Sequence, residues 1–270
     1  LGFTFMGIAV KYLPRIPTYE KVFFRNSVSL MLSAFILFRQ KESIKVEKAN
    51  IPFVFGRSFF GFIGMVANFY ALEHLTMAEA NMLNKLSPVF VTICACIFLK
   101  ERVDKKQVIG IILMLLAVVF VIKPSFSPEV IPSLAGLFSA VLAGFSYTII
   151  RYLNGKVKSE INVFYFSLLS VICTFPLMMM NFVKPTLNEF LILLGGIGIS
   201  AAMGQFGLTY AYTFAPASEV SIYNYVIIIT SMLMDYVLFS TIPDLFSFIG
   251  GFMIMTTAIY LYIHNKKKDN

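Results

Sequence analysis

Apolar and polar positions fall in long alternating blocks along this chain. Mostly apolar windows recur at roughly 1–14, 21–39, 51–72, 77–99, 106–123, 132–151, 161–181, 188–212, 216–240 and 244–264. A helix needs about 20 such residues to cross ~30 Å of hydrocarbon. The pattern predicts an all-α integral membrane fold of ten spans joined by short loops, with no room for a separate soluble domain. The first window is the shortest, at about 14 residues, and residues preceding Leu1 are expected to complete it.

Composition sharpens this picture. Apolar residues make up 58% of the 270 positions and charged residues 13%, against roughly 45–50% and about 25% in soluble domains. A water-facing exterior cannot be built from such a chain, whereas a bilayer accepts it. The three cysteines, Cys94, Cys96 and Cys173, lie inside predicted spans and read as small buried apolar groups rather than a disulfide or metal set.

The formal charge of +8 reads as a membrane signal and not as a nucleic-acid one, because the basic residues sit between spans. One set of alternating loops holds Arg39, Lys41, Lys45, Lys48, Lys100, Arg102, Lys105, Lys106, Arg151, Lys156, Lys158 and Lys266–Lys268, fourteen in all. The other set holds five: Lys11, Arg15, Lys21, Lys123 and Lys184. The richer side is expected to be cytoplasmic, which places both termini inside a cell (plasma) membrane.

The chain also matches itself at an offset of 140 residues. Ala9–Leu13 falls over Ile149–Leu153, Glu20 over Glu160, Gly64 over Gly204, Tyr70-Ala71 over Tyr210-Ala211, Glu79 over Glu219, Asn84 over Asn224, and Gly110 over Gly250. Several of these identities fall on polar or glycine positions, which chance apolar matching would not choose. Each repeat holds five spans, an odd number, so the second enters the membrane from the opposite side. Such inverted repeats bind solutes at their interface near the midplane. The expected organisation is a first repeat at 1–123, a linker at 124–131, a second inverted repeat at 132–264, and a basic tail at 265–270.

Three stretches then carry a resemblance: Pro17-Thr18-Tyr19-Glu20-Lys21-Val22-Phe23-Phe24-Arg25, Asn84-Lys85-Leu86-Ser87-Pro88, and Leu99-Lys100-Glu101-Arg102 ahead of Gly110. Their order within ten spans resembles the EamA-type branch of the drug/metabolite transporter superfamily over essentially the whole chain. The resemblance implies a central cavity and efflux or exchange of small organic metabolites. The second repeat departs from the pattern, with Thr241 where the first has Glu101 and Ile228 where it has Pro88.

Ionisable groups within hydrocarbon are costly and mark function by default. Lys85 falls near the middle of the fourth span and shares a helical face with Asn81, Asn84, Pro88 and Thr92. The matching ninth-span face carries Ser221, Asn224, Tyr225, Ile228 and Asp235. Lys85 is expected to meet a substrate carboxylate and Asp235 a cation or proton; a structural Lys85–Asp235 pair is the bland alternative. The cavity is expected between the third, fourth, eighth and ninth spans, with the first and sixth closing it, and reached also by Asn68, Tyr147 and Gln205. Glu79 and Glu219, near helix starts, read as caps or as coupling groups. Arg57 either snorkels to the interface or attracts an anion. Arg25 and Glu20 read as orientation and loop structure.

No His-Glu-x-x-His, Gly-x-Ser-x-Gly or Walker-type loop occurs in the sequence, so no catalytic activity and no cofactor are expected. The expected function is a secondary transporter for a small polar metabolite, zwitterionic like an amino acid, working by alternating access. A proton or sodium ion is a candidate coupling partner. An organic-cation (quaternary ammonium) transporter and a lipid-headgroup flippase on the same fold are the alternatives.

Overall fold

The computed structural model describes residues 1–270 apart from positions 99, 101–102, 124–129, 215–216 and 270, and apart from the side chains of 212–213, 217–222, 224 and 265–269. Among the described residues there is no strand. The helices are α1 (Gly2–Lys11), α2 (Thr18–Arg39), α3 (Ile51–His74), α4 (Met77–Phe98), α5 (Lys105–Ile122), α6 (Ile131–Leu153), α7 (Ser159–Met180), α8 (Leu187–Leu191, Ile192–Ile199 and Ser200–Phe214 in series), α9 (Ala217–Phe239) and α10 (Leu245–Asp269). Eight are long and apolar enough to cross a membrane; Gly2–Lys11 and Tyr225–Phe239 are shorter apolar helices. Helix α10 runs on to Asp269, so the basic segment expected as a separate tail has a helical backbone through that residue. Most of the expected linker lies outside the described residues.

Local sequence sets the helix starts. Thr76 and Glu79 form a reciprocal capping box at α4, as do Asp104 with Gln107 at α5 and Thr186 with Glu189 at α8. Proline stands in the first turn of α3 and α6, where its missing N–H is not needed.

Packing follows an exchange pattern. α1 lies on α8 as α6 lies on α3, while α2 packs on α7, α4 on α9, and α5 on α10. Each contact maps to itself or to another when the two halves are swapped, as two interlocked repeats require. The bundle exterior carries exposed Phe38, Phe98, Ile112, Met180 and Phe252, which is the surface hydrocarbon accepts.

Two helices depart from regular α geometry. In α4, Lys85 and Leu86 form a turn between Met77–Asn84 and Ser87–Phe98. Pro88 accounts for it: the residue has no N–H for the Asn84 carbonyl and its ring crowds that oxygen. In α8, Ile192–Ile199 is π-helical. The second half of α4 also passes very close to α6, where a Cβ added at Gly144 would lie 2.4 Å from the Phe90 Cβ; only glycine permits that approach.

Candidate functional site

A cavity of about 100 Å³ lies at the meeting of the repeats. Its main walls are α3 (Arg57, Gly61, Gly64, Met65, Asn68), α4 (Asn81, Asn84, Lys85) and α6 (Ser139, Ala143, Ser146, Tyr147). Phe3 of α1, Arg25 of α2, Phe166 of α7, Gln205 of α8 and Ile227 of α9 complete it. The sixth helix is thus a principal wall, not a closing element, and α8 and α9 contribute less than the sequence suggested.

The break in α4 places Lys85 here. The residue is the C-cap of Met77–Asn84, 9% exposed, with its ammonium 5.8 Å from the centre of the Phe3 ring. Among the described residues it has no carboxylate partner. Arg57 is 2% exposed, its guanidinium lies over the Phe166 ring at 4.1 Å, and Nε and Nη1 have no hydrogen-bond acceptor. Arg25 is 4% exposed and shares the Phe166 ring at 5.6 Å. Its Nη1 donates to Asn26 Oδ1 (2.8 Å) and its Nη2 to Gln205 Oε1 (3.2 Å), while Nε is unpaired. Three cations therefore face one small space, and all three come from the first repeat.

Polar contacts tie the cavity walls across the repeats. Asn81 Nδ2 donates to Ser231 Oγ (2.9 Å) and to the Met77 carbonyl (2.8 Å). Asn84 Nδ2 donates to Ser139 Oγ (3.0 Å), and Ser146 Oγ donates to the Arg57 carbonyl (3.1 Å). Asn68 Oδ1 is buried without a donor, the one such amide oxygen among the described cavity-lining side chains.

Several expected residues stand elsewhere. Asp235, fully buried on α9, accepts from the backbone N–H groups of Met77 (3.2 Å) and Ala78 (2.8 Å) and lies 3.9 Å from Lys11. It caps the α4 N-terminus, where a carboxylate complements the helix dipole, and it neither lines the cavity nor pairs with Lys85. Tyr225 is buried in the apolar cluster around Leu83, Met114 and Ile254, away from the cavity lining. Glu79 is a cap, bonded to Thr76, and it also accepts from Lys123 (3.3 Å) and Ser247 (2.6 Å). The side chains of Glu219 and Asn224 lie outside the described residues. Arg25 is the opposite correction: read as orientation and loop structure, it lines the cavity. The helix begins at Thr18, which carries Arg25 seven residues, ~10 Å, along its axis.

The end of the bundle opposite the lysine-rich loops is thus tied by ion pairs. Lys123 bridges Glu79 to Asp244, and Lys21 meets Glu73 at 2.7 Å. Burial raises the Asp244 carboxyl, but the bonds from Lys123 and the Ser247 N–H outweigh it and hold the group below its usual 3.8. Burial likewise lowers Lys123, and its two carboxylates outweigh that and hold it above 10.5. Among the described residues no group of His, Cys, Asp and Glu is arranged to hold a metal ion.

Among the described residues, ten helices in exchanged halves surround a small polar cavity, the form of a multi-pass membrane protein. The comparisons with known proteins make this specific: a model of the EamA-like transporter family matches residues 1–123 and 131–263, and the chain belongs to that family. It is similar to the pseudopaline exporter CntI of Pseudomonas aeruginosa (strain UCBPP-PA14), with 31% identity over 248 residues, 91% of this chain and 86% of the relative. It is similar also to the S-adenosylmethionine uptake transporter of Rickettsia conorii, with 27% identity over 269 residues, 96% of this chain and 88% of that one. A crystal structure 18% identical in sequence superposes with a TM-score of 0.67 over 97% of this chain and 96% of its own, a likeness of fold. The family and its named members are transporters of small molecules, not enzymes.

Proposed function

We propose that this chain carries a small organic anion with one or more carboxylates across the plasma membrane, by alternating access of the two repeats around the cavity. The observation behind this reading is the trio Arg25, Arg57 and Lys85, each buried and none within ion-pair distance of a carboxylate among the described residues. A buried charge without a partner costs several kcal/mol, and an anionic ligand is what removes that cost. Asn68 Oδ1 adds an unpaired acceptor suited to an amine or hydroxyl on the same molecule, so an amino acid with an additional carboxylate fits all four groups. The cavity, at about 100 Å³, is smaller than the 300–1,000 Å³ of ordinary ligand sites, so loading requires the walls to part.

The similar exporter and uptake protein are named for pseudopaline and S-adenosylmethionine, which supports an organic metabolite as cargo. The simple zwitterion expected from the sequence relied on Asp235 as a cavity carboxylate. With that group engaged at the α4 N-terminus, net negative charge is the better fit. An organic cation would face three like charges.

The test is thermal unfolding of the purified full chain against metabolites sorted by charge, because a ligand that binds only the folded state stabilises it. Di- and tricarboxylates, including acidic amino acids, are expected to raise Tm, and the same compounds to exchange in proteoliposomes. Stabilisation by quaternary ammonium compounds and by no carboxylate would overturn the reading.

A further inference from the structure

A second, larger recess of about 520 Å³ lies between α3 and α7. It opens on the bundle surface, since Ile51, Phe55 and Ile172 in its walls are 50%, 57% and 59% exposed. The recess begins at the ends of α3 and α7 nearest the lysine-rich loops. Its lining runs from Ile51 to Ser58 on α3 and from Tyr165 to Ile172 on α7, seven residues or ~10 Å along each helix. One leaflet of a bilayer contributes ~15 Å of hydrocarbon. The recess therefore runs through about two-thirds of a leaflet's depth, and its walls are mostly aliphatic and aromatic along that length.

Its mouth is basic. Lys45 lines it, and Lys41 and Lys48 flank Lys45 in the same loop. The acidic residues of that loop are engaged: Glu42 accepts from Lys158, and Glu47 accepts from Asn50 Nδ2 at 3.4 Å. None of the three lysines has a carboxylate partner among the described residues. The loop is fixed in place by Tyr165, whose hydroxyl donates to the Ile44 carbonyl at 2.9 Å, so one wall residue holds the basic rim above the apolar slot.

We infer that this recess is a binding site for one anionic phospholipid, with an acyl chain between α3 and α7 and the phosphate at Lys45. A polar metabolite would leave the slot's apolar length uncovered. A zwitterionic lipid offers the same phosphate together with a cation that three neighbouring lysines oppose. Each lysine near an anionic headgroup contributes favourably, and a chain in the slot buries Phe55 and Ile172. The two helices belong to different repeats, so the lipid bridges them and stabilises the folded chain.

The experiment is native mass spectrometry and thermal unfolding of the delipidated full chain with dioleoyl phosphatidylglycerol, dioleoyl phosphatidylcholine or glycerol 3-phosphate. The expected result is one tightly held phosphatidylglycerol, preferred by about tenfold over phosphatidylcholine, with a raised Tm. Lys45→Glu, in an exposed loop and so without effect on folding, should erase the preference. Leu169→Trp should fill the slot and displace the lipid; Ile172→Trp, at the exposed wall, makes the same test should the first variant fold poorly. Equal retention of the two lipids, retention of phosphatidylglycerol in all these variants, protection by glycerol 3-phosphate alone, or a dimer formed through this face would overturn the inference.

Discussion

The Arg57 guanidinium lies 4.1 Å from the centre of the Phe166 ring, a cation of the first repeat resting on an aromatic face of the second. The contact supplies part of what burial removes. A cation–π pair contributes about 0.5–2 kcal/mol, while a charge in mid-membrane costs about 2.5–3.5 kcal/mol on insertion-derived scales. The difference leaves Arg57 short of a partner, and two of its nitrogens have none.

Arg57→Met is therefore expected to hold or raise Tm in the absence of ligand while abolishing stabilisation by carboxylates. A charge-assisted hydrogen bond contributes about 1.5–3 kcal/mol, so ligand affinity should fall by roughly ten- to a hundredfold. Thermal unfolding with and without ligand reads both quantities. A large drop in Tm without ligand would show that the arginine is a structural element.

Lys85 and Asp235 give a second test because they do not touch. Lys85 ends the first half of α4 and faces the cavity, whereas Asp235 holds the α4 N-terminus about two turns away. Lys85→Met should remove transport and leave Tm unchanged or higher. Asp235→Ala should lower stability by about 1–3 kcal/mol, since the Met77 and Ala78 N–H groups lose their acceptor. In the double variant the effects on Tm should add, as they do for sites without shared partners. Rescue of one change by the other would mean that the two are coupled after all.

Much of this arrangement was legible in the sequence. Block hydropathy marked ten spans, and the 140-residue self-match implied the exchanged packing seen between α3 and α6 and between α1 and α8. Asn68, Asn81, Asn84, Lys85, Tyr147 and Gln205 were singled out and line the cavity. Arg25 was missed because the window drawn at 21–39 put it only four residues from a helix entry, where a charge reads as orientation, while the helix starts at Thr18 and carries it seven residues in. A hydropathy window leaves out the polar first turn of a helix, so it underestimates how deep the residues after that turn lie. Asp235 was misplaced because helical periodicity fixes a face but not which neighbour that face meets. A carboxylate near a helix end is as well placed to cap another helix as to meet a solute. Ser139, Ser146 and Phe166 carried no signal, since in so apolar a chain a serine or phenylalanine is ordinary at any position.

The Lys123–Asp244 bridge defines a pH window. Asp244 is held below its usual 3.8, so its contribution to stability is present above that value and is lost as pH falls through the depressed one. Lys123 is held above 10.5, so its contribution is present below that value and is lost as pH rises through the raised one. Both groups are charged throughout the range from about pH 5 to 9. The pair is half exposed, so Lys123→Gln should cost little, no more than ~3 °C in Tm. That cost should be the same at about pH 5.5 and about pH 8.5. A cost that changes between these two values would show that another group titrates within the bridge.

Orientation is the remaining prediction, and it decides which side the bridge seals. Alternate loops carry fourteen basic residues on one side and five on the other, and short basic loops stay in the cytoplasm. The loop after α2 is on the rich side and the one between α7 and α8 on the poor side. A cysteine-free chain, with Cys94, Cys96 and Cys173 replaced by alanine, provides the background, since all three are free thiols. Lys184→Cys in that chain should react in intact cells with a membrane-impermeant maleimide. Lys45→Cys should react only after permeabilisation, in agreement with a basic rim on the cytoplasmic leaflet. The Asp235 cap and the Lys123 bridge would then close the outer end of the cavity, and removing them by Asp235→Ala with Lys123→Gln should raise labelling at a cysteine placed at Asn81 from outside. The reverse pattern, with Lys45→Cys labelled in intact cells and Lys184→Cys protected, would invert the chain in the membrane and make the same ion pairs a cytoplasmic gate.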